Sequence, residues 1–301
     1  MSLLIVGTVA FDGIETPYGK VPKILGGSAT YICLSASYFN EKANLISVVG
    51  GDFLQKDIEL LKSHGVNVDG LEVIPNEKTF FWSGKYHSNM NQRDTVETQL
   101  NVLESFDPKV PPTYQDCEYL MLANLMPSLQ LKAIEKLNKR PRLIVMDTMN
   151  YWMDNCLDDL MLVIEKIDVL IINEEEAYQL SNKDDIEDAA IFIKNLGPQF
   201  LIIKKGEDGA LLYNQNKSFY CPSFEVEKCI DPTGAGDTFA GAFIGHIAHT
   251  KSLSFNNMKK AVIKACAMAS FCVEDFGSGN LNDKDMSEIE NRITILNQKI
   301  N

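Results

Sequence analysis

The chain is short of the features that would place it in several large classes. Its 301 residues contain no apolar run near the ~20 residues needed to cross a bilayer. No charged-then-apolar leader stands before Leu3, so neither a membrane span nor a secretory signal is expected. Positive charge is scarce: 28 Lys and Arg against 41 Asp and Glu give a net charge of −13. That balance argues against nucleic acid or an anionic membrane surface as a partner. An acidic chain that handles an anionic ligand must concentrate its positive field locally, through helix ends, a few lysines or arginines, and a metal ion. The seven cysteines form an odd set with no Cys-x-x-Cys pair. Cys33, Cys266 and Cys272 fall in apolar helical patterns, where a buried free thiol is usual, and a reducing cytoplasm is the expected compartment. The four histidines are scattered; His246 and His249 share a helix face but have no third ligand, so a metal role is not expected. Two common phosphate-binding patterns are also missing. No Gly-x-x-x-x-Gly-Lys-Ser/Thr occurs, and Phe239 stands where the third glycine of a dinucleotide fingerprint would follow Gly234 and Gly236.

What is present is Asp231-Pro232-Thr233-Gly234-Ala235-Gly236-Asp237, followed by a small-residue apolar run from Phe239 to Ala248. Pro232 breaks any earlier helix, so a helix should begin near Gly234. Its start points unpaired N–H groups and the positive dipole end at one spot, and the small residues let an anion approach. Asp237 places a carboxylate beside that anion site. A carboxylate there is useful if it takes a proton from a hydroxyl that attacks a phosphoryl group. The plainer alternative is a tight turn into a core helix.

The rest of the chain reads as an α/β protein. Leu3–Val6 and Asn44–Val49 are continuous apolar runs of the kind found in buried parallel strands, and Asp52 is placed to cap a following helix. Between them, Thr8 to Lys23 reads as irregular. After Gly70, Leu71–Ile74, Thr79–Tyr86 and Thr95–Leu103 are rich in β-branched and aromatic residues and read as a small appended antiparallel sheet. Phe80, Phe81 and Trp82 within it should cover a ligand, a second subunit or the parent domain. Strand–helix alternation resumes at Tyr119 and implies a parallel sheet with helices on both faces. Asp12, Asn173, Glu176, Gly206 and the Asp231–Asp237 stretch each follow an expected strand, the last following Phe224–Ile230. Ligands of open parallel sheets bind at that end.

The Asp231–Asp237 stretch closely resembles the signature of the ribokinase/PfkB sugar and nucleoside kinases, Asp-Thr-x-Gly-Ala-Gly-Asp, with Pro232 in place of the threonine. Asn173-Glu174-Glu175-Glu176 resembles the family's Asn-x-x-Glu, and Gly26-Gly27 its Gly-Gly pair before a helix. The three marks occur in order, and the resemblance runs from Leu3 to about Asn280. It implies a single ribokinase-like domain over 1–301, a mostly parallel sheet flanked by helices, with a lid formed by about 12–24 and 71–103. It also implies ATP-dependent transfer of a phosphoryl group to a primary hydroxyl of a sugar or nucleoside, a ribose-containing acceptor being favoured. A non-catalytic sensor of the same fold and a kinase for a hexose or sugar phosphate are the alternatives.

On this resemblance Asp237 is the catalytic base and Gly234, Ala235 and Gly236 supply the anion hole. Asp12, Gly26 and Gly27 hold the acceptor, Asn173 and Glu176 orient Mg²⁺, and Lys205, Gly206, Gly209 and Asn280 line the nucleotide pocket. Members of the family often use a monovalent cation such as K⁺ near the signature loop, and several pair as homodimers through the lid, here through Phe80 to Trp82. Tyr31 stands where many members carry an asparagine that helps to fix a sugar; it suits either a flat base or the core. Arg93 and Lys85 lie on the lid, within reach of a phosphate or free to remain solvated. Asp147 and Asn150 are similar to the family's Asp-Pro-Asn step but carry one extra residue, so no role is carried over to them.

Overall fold

The computed structural model describes residues 2–39 and 42–300. Its strands are β1 (Leu3–Val6), β2 (Ala10–Thr16), β3 (Gly19–Gly26), β4 (Ala43–Gly50), β5 (Val66–Ile74), β6 (Phe81–Tyr86), β7 (Arg93–Gln99), β8 (Tyr119–Leu122), β9 (Leu143–Asp147), β10 (Val169–Asn173), β11 (Phe200–Lys204), β12 (Ala210–Tyr213) and β13 (Ser218–Cys221). Its helices are α1 (Ser28–Ser37), α2 (Gln55–Ser63), α3 (Pro127–Glu135), α4 (Asn150–Asn155), α5 (Leu157–Ile164), α6 (Glu174–Ser181), α7 (Ile186–Lys194), α8 (Ala235–Thr250), α9 (Phe255–Cys272) and α10 (Met286–Ile300). Nine strands form one sheet in the order β13-β12-β11-β10-β9-β8-β1-β4-β5. It is parallel from β11 to β5 and antiparallel where β12 and β13 extend one edge.

The sheet is buried because its strands have no polar face. β9, β10 and β11 read Leu-Ile-Val-Met-Asp, Val-Leu-Ile-Ile-Asn and Phe-Leu-Ile-Ile-Lys. Side chains alternate along a strand, so the apolar positions fill both faces at once. Val145, Ile171 and Ile202 join the core made with Ile32 of α1, Phe243 of α8 and Val262 of α9. Met146, Leu170 and Leu201 join the opposite core with Leu129 of α3, Leu160 of α5 and Ile193 of α7. Truncating one of these, such as Ile171→Ala, should cost about 2–5 kcal/mol. Each run stops at its first polar residue. Asp147, Asn173 and Lys204 therefore stand side by side at the carboxyl ends of neighbouring strands.

A second sheet of four strands, in the order β3-β2-β6-β7, covers that end as a lid. β2–β3 and β6–β7 are antiparallel hairpins, but β2 and β6 pair in parallel, because two main-sheet strands intervene between them in the chain. Thr8 to Lys23 is therefore largely a lid hairpin rather than irregular chain. Leu71–Ile74 belongs to β5 and pairs with β4 in the main sheet; β-branched composition alone does not say which sheet a strand joins. Asp52 caps no helix. α2 starts after Leu54, while Asp52 Oδ1 accepts the Thr79 N–H and hydroxyl, both at 2.7 Å, and Oδ2 lies 3.3 Å from Lys23 Nζ. It fastens the base of the lid instead. No strand forms over Phe224–Ile230, and the chain reaches the signature loop as irregular structure. α10 buries Ile289, Ile293 and Leu296 against the core.

Candidate active site

The signature loop is shaped by Asp231. Its carboxylate accepts the Thr233 N–H at 2.8 Å and the Gly277 N–H at 2.9 Å and is fully buried. Gly234 then turns with φ 77° and ψ −1°, a left-handed conformation, and α8 begins at Ala235. A Cβ on Gly234 would run into the Tyr31 ring, so glycine is required by space as well as by backbone. The Ala235 N–H turns back to the Pro232 carbonyl at 3.2 Å. Among the described residues, the Gly236 and Asp237 amides have no backbone acceptor. These two, rather than Ala235, aim open donors at an incoming anion.

Asp237 lies one step further along. Its Oδ1 is buried and has no hydrogen-bond partner. Burial raises its pKa above the ordinary carboxylate range; Asp147 and Asp12 push the same way, Lys204 and Arg93 against it. Asp12, on β2, is buried, and its carboxylate rests against Gly26 and accepts the Gly27 N–H. Burial pushes its pKa up to about 7, the Gly27 bond opposing and Asp231 adding. Gly27 has φ 90°, and a Cβ there would lie 2.7 Å from the Ala10 nitrogen. Asp12, Gly26, Gly27, Gly234 and Asp237 thus meet around one place. Tyr31 faces the core beneath Gly234 with 1% exposure, its hydroxyl unpartnered and close enough to feel Asp12, Asp231 and Asp237.

Asn173 and Glu176 form a reciprocal cap at the start of α6. Asn173 Oδ1 accepts the Glu176 N–H, and Glu176 Oε2 accepts the Asn173 N–H, both at 2.8 Å. One oxygen of Glu176 remains for a ligand. Burial lifts its pKa to about 7; Lys204 opposes this, Asp147 adds to it, and the Asn173 N–H and Arg93 oppose it.

Lys204 is the residue that sequence reasoning passed over, and Asp147 the one to which it carried no role. Lys204 Nζ lies 3.1 Å from Asp147 Oδ1, and the side chains are 16% and 7% exposed. The available signal was the polar residue ending each apolar strand. Asn150 is turned away and donates to Gln179 at 2.6 Å. Arg93, opposite Tyr86 in the β6–β7 hairpin, is exposed with its guanidinium 5.7 Å over the Trp82 ring, and its charge is felt at Tyr86, Glu176 and Asp237. Lys85 is taken by Glu15 at 2.6 Å on the lid surface.

On the other side of Lys204, Lys205, Gly206 and Gly209 form one short turn closed by the Lys205 N–H on the Gly209 carbonyl at 2.8 Å. Lys205 Nζ pairs with Glu174 at 3.4 Å. Asn280 lies on the short turn Gly279–Leu281. Its amide donates to the Phe271 carbonyl at 2.7 Å, and its neighbour Gly277 packs on Ile24 of the lid. His246 is buried against Asn257 at 3.2 Å. Among the described residues no cluster of three or more His, Cys, Asp or Glu could hold a metal by itself, and no helix is long and apolar enough to cross a membrane.

Fold and site together define a phosphotransferase with an alcohol group as acceptor. The chain belongs to the pfkB family of carbohydrate kinases, whose family model matches residues 3–285. It is 27% identical over 256 residues to a cytidine kinase of Thermococcus kodakarensis, covering 84% of this chain and 91% of that protein. Its fold matches a Burkholderia thailandensis nucleoside kinase in complex with inosine, with a TM-score of 0.80, 20% identity and 98% of each chain covered. It also matches an E. coli protein named as ribokinase II, in complex with ATP and Mg²⁺, with a TM-score of 0.79, 22% identity, and 98% of this chain and 99% of that chain covered.

Proposed function

We propose that the protein transfers the γ-phosphoryl group of ATP to a primary hydroxyl of a ribose-containing acceptor, a nucleoside in particular. The observation that carries this is Asp237: a buried carboxylate oxygen without a partner, one residue from open backbone amides and facing Asp12 across the acceptor space. Asp12, Gly26 and Gly27 hold the acceptor, the carboxylate taking hydrogen bonds from vicinal hydroxyls. The attacking hydroxyl gives its proton to Asp237 as its oxygen bonds to the γ-phosphorus, and the bond from that phosphorus to the bridging oxygen breaks to release ADP. The loop Gly234, Ala235 and Gly236 receives the phosphoryl, with donors from Gly236 and Asp237. Lys205, Gly206, Gly209 and Asn280 are assigned to the nucleotide side.

The residues fit Mg²⁺. Asp147, Glu176 and Asp237 are hard oxygen donors too few and too dispersed for an all-protein cage, which suits an ion that keeps its waters. Bound there by Glu176, with Asn173 fixing the helix start, the ion would offset charge on the phosphate chain. Asp231 is a buried carboxylate held by the Thr233 and Gly277 amides, and a K⁺ ion nearby would offset its charge. Cytidine, inosine and other nucleosides, pentoses and hexoses should be screened for acceptor-dependent ADP release, in K⁺ and in Na⁺. Nucleosides should give the highest kcat/KM; turnover of free pentoses alone would overturn the nucleoside assignment.

A further inference from the structure

We propose that Lys204 is the side-chain cation that holds the transferring phosphoryl group over the start of α8, and that Asp147 is the residue that positions it. The inference deepens the kinase reading above and rests on it.

The placement follows from the sheet. β9, β10 and β11 lie side by side, and each ends in its first polar residue, Asp147, Asn173 and Lys204; Asn173 and Lys204 are register partners. A lysine there cannot reach bulk water easily. It finds Asp147, 57 residues earlier in the chain, at 3.1 Å. An ammonium carries three donors, and Asp147 is its one hydrogen-bonded partner among the described residues. The side chain is only 16% exposed, so little water reaches the remaining donors, and unfilled donors are costly.

The phosphate loop lies beside them. A Cβ built on Gly236 would come within 2.8 Å of Lys204 Nζ, so the ammonium sits directly over a residue whose own N–H lacks a backbone acceptor. Open amide donors and open ammonium donors therefore converge from two elements. A ligand that satisfies both must present several anionic oxygens on one centre, and a terminal phosphoryl does. Glycine at 236 keeps the ammonium in place, since a larger side chain would displace it. Burial pulls the Lys204 pKa down, but Asp147, Glu176 and Asp237 together hold it above the ordinary value, so the charge persists. A point charge on a flexible stem can follow the phosphoryl as it moves.

The competing account is that Lys204 only neutralises its carboxylate neighbours. Binding of ATP and of ADP, each with Mg²⁺ and without acceptor, separates the two by calorimetry. Lys204→Met should lower the ratio of ATP to ADP affinity by roughly tenfold or more, because only ATP carries the terminal phosphoryl. Lys204→Arg should recover part of the ratio. The pair Asp147→Asn with Lys204→Met removes both charges, so it should regain the Tm lost in Lys204→Met while the ratio stays low. An unchanged ratio in Lys204→Met, or a double variant that regains ratio and Tm together, overturns the role of Lys204 alone. A wild-type protein that binds neither nucleotide overturns the kinase reading and this inference with it.

Discussion

Thr233, in the loop that leads into α8, donates its hydroxyl to the Tyr86 hydroxyl of lid strand β6 at 3.0 Å. The bond ties the lid to the phosphate loop across 147 residues of sequence. Tyr86 is buried, and burial pushes its phenol pKa up to about 12. This neutral bond therefore couples the lid to the loop, and opening must break it.

Removing that bond should loosen the closed lid without disturbing the core. A neutral hydrogen bond contributes about 0.5–1.5 kcal/mol. Tyr86→Phe should raise the acceptor KM by about 2- to 10-fold, with a small change in kcat and in Tm. Steady-state kinetics with the acceptor varied at saturating ATP would check this, and an unchanged KM would make the contact incidental.

Asp237→Asn keeps the shape of the side chain and removes the base. General base catalysis contributes roughly 10²–10⁴-fold, so kcat should fall by that much while ATP binding persists. Turnover within about threefold of wild type would exclude Asp237 as the base.

Much of this was legible because it is local. The break at Pro232, the small residues and the aspartates of the signature loop dictate a helix start, and the apolar pentads dictate parallel strands. From sequence Asn173 and Glu176 read as a Mg²⁺ mark, and it is the structure that adds the reciprocal cap, which takes up the Asn173 oxygen. Lys204 escaped, and Asp147 received no role, because an ion pair between two strand ends leaves no local mark. Leu71–Ile74 had the composition of a lid strand, but composition does not encode the pairing partner.

Glu176 can be tested through its free oxygen. Glu176→Gln preserves the cap, since glutamine also serves at that position, and removes the charge that would face Mg²⁺. The Mg²⁺ concentration for half-maximal rate should rise several-fold with the fold intact by circular dichroism. A superimposable Mg²⁺ titration would leave Glu176 a helix cap and nothing more.

Asp12 gives a pH prediction with a definite sign. Its pKa is raised from 3.8 to about 7 in the folded chain, so folding favours its protonated form. That contribution is full below pH 3.8 and is lost as pH climbs through about 7. Asp12→Asn is neutral throughout. Without ligands, its Tm relative to wild type should therefore rise between pH 5 and 8, with a gain on the order of 1–4 kcal/mol. The same variant should weaken acceptor binding about 10- to 100-fold, since a charge-assisted hydrogen bond is lost. A Tm difference independent of pH would show that Asp12 is not held in its protonated form.

The lid also bears on assembly. Phe81 packs against the core of its own chain, and the Trp82 ring lies over Gly84, its Nε1 donating to Thr95 at 3.3 Å. Neither ring is fully covered. β7 is the outer strand, with β6 on one side only, and Val96 on it is 65% exposed. An unshielded edge with an apolar residue invites a second strand, although Arg93, Asp94 and Glu97 limit which strands can pair there. The proposal is a homodimer through the lid, with Trp82 and Val96 at the contact and Phe81 contributing less than its sequence neighbours suggest. Phe81→Asp is then a poor probe, because it would damage the core. Trp82→Asp or Val96→Asp should instead shift dimer to monomer and weaken acceptor binding more than ATP binding, because the lid carries Asp12. Sedimentation at micromolar concentration decides it. A monomeric wild type would mean that the half-covered rings are satisfied by their own subunit, and the dimer would be discarded while the chemistry assigned to Asp237 stood.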